Sequence, residues 1–262
     1  MPDGCAFPAR ESETAIMNRT AGSFLAALTM GERDDLLSSG KPRTYHEGQP
    51  ILVQGEIGNH VVLLRHGRAK VSVATRDGRD VLLGLRGSGD VLGELGYLFS
   101  SPRTATVVAV DSVTAVAVEF AALRGFLHHN PRVLHEIART VGDRLTWADR
   151  RHAEACLPVI ERLARVLHEL AVGAGALSPN GWSQPHAQEG IEIPLTQREL
   201  GQLIGAAEVS VQRALRQLAE EGWLTQRYGR VTVLRPAALG RRPNSGATAP
   251  GQPQLRRTNT KQ

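Results

Sequence analysis

The sequence predicts an α+β chain: an N-terminal module of short strands, a long central helix and a C-terminal winged helix-turn-helix. Three observations carry that expectation. Between residues 42 and 119, Val, Leu, Ile and Thr fall in short runs punctuated by glycine, the texture of a sandwich or small barrel. From Asn130 a narrow apolar seam recurs at helical spacing as far as Pro158. Between Thr196 and Leu234 two short helical patterns flank a glycine and are followed by a basic hairpin. The expected divisions are a flexible arm over 1–20, the strand-rich module over 21–129, the central helix over 130–157, the winged module over 158–238, and a disordered basic tail over 239–262.

Length and charge bound the function classes. The 262 residues leave room for two modest domains, each with its own core. The apolar residues never run long enough without charge to span a bilayer, and residues 1–20 lack the apolar core of a secretory signal. Cys5 and Cys156 are too far apart to suggest a disulfide framework or a metal cluster. A cytoplasmic protein without membrane contact is expected. The formal charge of +5 is carried by the tail, where Arg241, Arg242, Arg256, Arg257 and Lys261 stand without an acid. The basic balance therefore does not itself predict a nucleic-acid face on the folded body.

Each element can be justified in order. Phe24, Leu25 and Leu28, then Leu36 and Leu37, form a short helical pattern, with residues 31–34 able to start its second piece. Strand-like runs cover residues 51–53, 61–64, 69–75, 81–85, 104–110 and 113–118, and Asp77-Gly78 between two of them is a hairpin signal. Asn130 can cap a helix with Pro131 in its first turn. Val133, Ile137, Val141, Leu145, Ala148, His152 and Ala155 then line one seam over about seven turns. That seam is either a dimer contact or the packing face of a helix on its own β-module. Pro158 suits the start of a further helix over 159–172, and residues 173–190 read as a polar loop.

Thr196 with Glu199 three residues later is a capping box, so a helix starts there. Leu200, Leu203 and Ile204 give its buried face, Gly201 allows a close crossing and Gly205 ends it. A second helix buries Val211, Ala214, Leu215 and Leu218 and projects Glu208, Ser210, Gln212, Arg213 and Arg216 outward. That order fits insertion of the second helix into the major groove of double-stranded DNA. Thr196 and Gln197 begin the first helix. Arg227 and Arg230 flank the tip of the hairpin behind, within reach of phosphates. A generic helical hairpin with a surface ribbon is the competing interpretation.

The sharpest stretch runs from Gly93 to Ala105. Gly93 and Gly96 permit a tight loop whose free N–H groups could cradle an anion. Arg103 offers a guanidinium fork matched to phosphate, with the Thr104 hydroxyl beside it. Glu94 fits such a site only as an acceptor for something other than phosphate, and Glu94 and Arg103 alone could simply pair on a loop.

The sequence Gly93-Glu94-Leu95, six residues, then Pro102-Arg103-Thr104-Ala105 resembles the phosphate-binding cassette of cyclic-nucleotide-binding domains. With the winged helix in the same order, residues 23–235 resemble the cyclic-AMP receptor and fumarate-nitrate regulator family of bacterial transcription factors. The resemblance implies an N-terminal β-roll, a central dimerisation helix and a homodimer whose DNA binding responds to a cyclic nucleotide, cyclic AMP first. RNA polymerase is left open as a further partner. It also implies that Gly93, Arg103 and Thr104 hold the cyclic phosphate, that Glu94 takes the ribose hydroxyl and that Leu95 belongs to the same ligand site.

Two departures from the family pattern stand out. In members that bind cyclic AMP, hydroxyls on the central helix meet the adenine; here Thr146 alone offers one among residues 145–148. Trp147 beside it could stack on a base or pack against the partner subunit. In the second helix Val209 replaces a glutamate of the family pattern, removing a cytosine contact, while Arg213 keeps a fork suited to guanine. Too few thiolates are present for an iron–sulfur sensor, and no histidine is singled out as a haem ligand. No nucleophile has a paired base, so an enzyme is not expected. The alternative is a ligand-independent DNA-binding or protein-interaction factor that keeps a degenerate pocket.

Overall fold

The computed structural model describes residues 23–176, 190–227 and 229–240. The expected arm, the basic tail from residue 241 and most of the polar loop lie outside the described residues; Leu239, expected to begin the disordered tail, is instead buried at the end of a short helical turn. A single-turn 3-10 helix, Phe24–Ala27, is followed by α1, Met30–Ser38. The start of α1 was expected within residues 31–34. Thr29 sets it instead, because its hydroxyl accepts from Glu32 N–H while Glu32 accepts from Thr29 N–H.

The strands are β1 (Lys41–Tyr45), β2 (Pro50–Leu52), β3 (His60–His66), β4 (Ala69–Ala74), β5 (Asp80–Arg86), β6 (Val91–Leu92), β7 (Thr106–Ala109) and β8 (Val113–Glu119). They form two four-stranded sheets, ordered β1-β8-β3-β6 and β2-β7-β4-β5, facing one another as a β-roll. Val62, Leu64, Ala69, Val71, Val107 and Ala115 fill the space between the sheets. The alternate residues of β3 and β8, Val61, Leu63, Val116 and Val118, pack outward with Phe24, Leu36, Leu123 and Ile137. Both faces of β3 are therefore buried, which explains an apolar run without alternation. The Asp77-Gly78 hairpin forms between β4 and β5, with Gly78 at φ 77°. Strand β1 carries almost no apolar signal. It is an exposed edge, and Pro42 is tolerated there because an edge strand needs no inner ladder bond from it.

After β8 come α3 (Phe120–His129) and α4 (Pro131–Ala153), the long central helix, then a 3-10 turn over Glu154–Cys156 and α5 (Val159–Ala176). Residues 173–176, expected in the loop, continue α5. The seam of α4 divides. Val133 and Ile137 are buried against the β-roll, whereas Leu145 is 61% exposed and Ala148 and His152 are exposed. The C-terminal module consists of β9 (Ile191–Ile193), α6 (Gln197–Ile204), α7 (Glu208–Glu220), β10 (Leu224–Arg227), β11 (Arg230–Val233) and a final turn, α8 (Pro236–Leu239). Its core, built from α5, α6, α7 and the sheet β10-β11-β9, also takes in Leu82 from β5.

Candidate ligand cavity and nucleic-acid interface

A cavity of about 440 Å³ lies between the β-roll and the central helix. Its lining includes Gly93, Glu94, Leu95, Gly96, Arg103 and Thr104 of the cassette, and Arg86, Trp147 and Arg151. The sequence had suggested a tight loop at Gly93 and Gly96 with free N–H groups. The chain instead turns into a short helix, α2, over Glu94–Phe99, with Gly93 left-handed at φ 77° as its N-cap. Glycine is required there twice over: the backbone angle disfavours any side chain, and a Cβ would collide with the Arg103 guanidinium.

Arg103 is 5% exposed. Its Nη1 donates to the Gly93 carbonyl at 3.1 Å and its Nη2 to that of His60 at 2.6 Å. Burial lowers its pKa. Glu94, also 5% exposed, does not pair with Arg103. Its partner is Arg144 of α4, which donates from Nη1 at 2.6 Å and from Nη2 to the Val91 carbonyl at 2.8 Å. Arg144 was not singled out in the sequence, although its place one turn before Trp147 could have suggested it.

The helix presents Val141, Arg144, Leu145, Trp147, Ala148 and Arg151 to the cavity. Thr146 is not among them: it is exposed and its hydroxyl donates to the Gly142 carbonyl of its own helix at 2.9 Å. The helical period turns it away, and Ala148, with no hydroxyl, faces the cavity in its place. Trp147 packs within its own protomer. Its Nε1–H donates to Glu169 of α5 at 2.6 Å, and the Arg151 guanidinium lies 3.2 Å from its ring centroid. Burial pushes Glu169 up, and pulls both Arg86 and Arg151 down to about 10.

In the C-terminal module the capping box of Thr196 and Glu199 forms. Gly205 is left-handed at φ 63°, and a Cβ on Gly201 would stand 2.6 Å from the Ala206 carbonyl oxygen. The inner face of α7 is the expected one, Val211, Ala214, Leu215 and Leu218. Glu208, Gln212, Arg213 and Arg216 are exposed, Ser210 is half-buried, and Val209 is 58% exposed. Gln197, Gln212, Arg216 and Gln226 line a common groove between α6, α7 and the wing. The Thr196 hydroxyl is committed to its cap. Arg227 is exposed, while Arg230 is paired with Glu192 at 2.6 Å. Reader and β-roll touch through Lys70 and Glu199 at 2.7 Å and through Gln202 on β5.

Residues 42–130 match the family model of the cyclic nucleotide-binding domain, and residues 161–242 match that of the Crp-like helix-turn-helix domain. The chain belongs to the Crp family of transcriptional regulators. Among curated Crp-family relatives, the Cyclic AMP receptor protein of Thermus thermophilus is 30% identical over 213 residues, 79% of this chain and 90% of that one. The CRP-like cAMP-activated global transcriptional regulator of Mycobacterium tuberculosis is 28% identical over 203 residues, 77% of this chain and 88% of that one. These relatives are regulators rather than enzymes. Among solved structures, the c-di-GMP responsive global regulator CLP of Xanthomonas campestris matches with a TM-score of 0.62 at 23% identity, over 78% of this chain and 99% of that one. That last likeness is one of fold.

Proposed function

We propose that this Crp-family regulator is a homodimer that reads double-stranded DNA with α7 and changes its DNA affinity when a cyclic nucleotide enters the β-roll cavity. The single observation that carries the proposal is a cavity whose wall is shared by the cassette and the central helix. A ligand there touches both the sensor and the element leading into the reader, so binding can bias their arrangement. The cyclic phosphate would sit at Gly93, Arg103 and Thr104, with Leu95 in the same site. Glu94, held by Arg144, would accept from a ribose hydroxyl. Cyclic AMP is the first effector to test, because it is the one named for the relatives. Exposed Leu134 and Leu145 on α4 support pairing with a second copy.

On DNA, Gln212, Arg213 and Arg216 would meet base edges or phosphates, with Glu208 and Ser210 near the entry of the helix. Gln197 and Arg227, and Arg230 once released from Glu192, would hold the backbone. RNA polymerase remains a further partner to be sought by pull-down on promoter DNA. Calorimetry with cyclic AMP and cyclic GMP, combined with mobility shift of promoter DNA, tests the proposal. It expects nucleotide binding, a change in DNA retention and loss of both in Arg103→Ala. A second interpretation has support in Arg103, whose two terminal nitrogens already serve carbonyls. A ligand-independent factor would retain DNA equally with and without nucleotide.

A further inference from the structure

We propose that the cavity holds a second anion subsite, made by Arg86 of β5 and Arg151 of α4, and that its preferred ligand is a nucleotide carrying two phosphate groups. This rests on the interpretation of the cavity as a nucleotide site and narrows it to a ligand class.

The two arginines are held by their tips and left open along their edges. Arg86 donates from Nη1 to the Leu85 carbonyl at 2.7 Å, and Arg151 from Nη2 to the Leu83 carbonyl at 3.3 Å. Among the described residues Arg86 Nε and Arg151 Nε and Nη1 are buried atoms without a hydrogen-bond partner, the Arg151 guanidinium lying over the Trp147 ring. Both residues line the cavity. A buried guanidinium with unmatched N–H groups is costly, and it recovers that cost when an oxyanion arrives, because its fork matches two phosphate oxygens.

Charge points the same way. Among the described residues four arginines, Arg86, Arg103, Arg144 and Arg151, line this cavity against one carboxylate, Glu94, and Arg144 already holds that carboxylate. Two further acids, Asp90 by Arg86 and Glu169 by Arg151, act on these arginines from outside the cavity lining, and each already accepts a hydrogen bond. Glu169 accepts from Trp147 and lies 3.6 Å from Arg150, and Asp90 accepts from the Gly87 N–H at 2.8 Å. A cyclic mononucleotide brings one negative charge, which Arg103 would take. The free N–H groups of Arg86 and Arg151 would then stay unmatched. A second phosphate closes both edges, and the volume of about 440 Å³ falls within the range of small-ligand sites. A cyclic dinucleotide and a linear nucleoside bisphosphate share this chemistry.

The test is calorimetry on the full chain with cyclic AMP, cyclic di-AMP, cyclic di-GMP and adenosine 3′,5′-bisphosphate, using wild type, Arg86→Gln and Arg151→Gln. At least one two-phosphate ligand is expected to bind tenfold or more tighter than cyclic AMP, roughly the worth of a charge-assisted hydrogen bond. The dinucleotide and bisphosphate arms tell which source fits. Each glutamine variant should lose more affinity for that ligand than for cyclic AMP. On wild type alone, affinity for it should fall more steeply with added salt than affinity for cyclic AMP, a readout that survives any folding defect in the variants. Cyclic AMP binding as tightly as every two-phosphate ligand overturns the inference and leaves the effector proposal standing. Equal losses for all ligands also overturn it, making the arginines structural. Binding of a two-phosphate ligand without cyclic AMP supports the inference and removes cyclic AMP as effector. Binding of none overturns both.

Discussion

Gln202 of α6 pairs with the edge of β5 as a strand would: its side-chain oxygen accepts from Leu82 N–H at 3.1 Å, and its side-chain nitrogen donates to the neighbouring Asp80 carbonyl at 2.7 Å. Strand β5 is the last strand of its sheet, so its outer amides need a partner or water. One side chain supplies it, and in doing so fastens the first helix of the reader to the sensor.

Gln202→Ala should therefore free the Leu82 amide. Hydrogen exchange there is expected to quicken in the mutant, with a loss of about 1 kcal/mol per hydrogen bond. Unchanged exchange at Leu82 would show that other contacts hold the edge.

Arg144→Ala strands Glu94, which is buried and, among the described residues, has no second ion pair, Arg103 and Arg86 acting on it only from a distance. A loss of about 3–5 kcal/mol is expected, as for other buried pairs cut on one side. In thermal denaturation Arg144→Ala should fall well below wild type, and the double mutant Arg144→Ala, Glu94→Gln should recover part of the difference.

Gly93→Ala places a Cβ against the Arg103 guanidinium at a left-handed position. The backbone alone costs about 1–2 kcal/mol. Nucleotide affinity, measured by calorimetry, is expected to drop further than that strain accounts for, because Arg103 has to move.

Arg213→Ala, on the exposed face of α7, should cost roughly 1–3 kcal/mol of DNA affinity and relax preference at one base position if the fork reads guanine. Binding-site selection with the variant checks this. Uniform weakening across sequences would assign Arg213 to a phosphate.

Arg132 pairs with Glu32, and that hydrogen-bonded contact brings the Glu32 carboxyl from 4.5 down to about 2. A carboxylate depressed in the folded state stabilises it above the unfolded value, and the gain disappears as pH falls through the folded one. The melting temperature of wild type should exceed that of Glu32→Gln by a steady margin at neutral pH. The margin should shrink below about 4.5 and vanish near 2.

What the sequence made legible follows from which signals are local. Thr196, Glu199 and Gly205 specify the ends of α6 within a few residues of themselves, and those ends are where they were expected. The apolar runs of β3 and β8 likewise announce burial on two faces. Strand β1 was not legible because Lys41, Arg43 and Thr44 face solvent and the strand is held to β8 by its backbone ladder and one surface ion pair, Lys41 with Glu119, neither of which leaves an apolar pattern. The site was legible in part. Gly93, Glu94, Leu95, Arg103 and Thr104 come together in the lining of the cavity, but Glu94 finds its partner fifty residues away, at Arg144. Thr146 and Trp147 differ by one position in sequence and by a third of a turn in direction, and no local pattern fixed which of them faced inward.

The burial of Leu82 among reader residues bears on how such regulators exchange parts. A graft of residues 158–238 onto a different sensor would leave behind two buried apolar side chains of its core, Leu82 and Leu239, and the backbone edge that Gln202 covers. The β4–β5 hairpin has to travel with the reader, or the recipient has to offer a hairpin of matching shape. Chimaeras built on the visible linkers alone should express as less soluble proteins than those that carry residues 69–86 across as well.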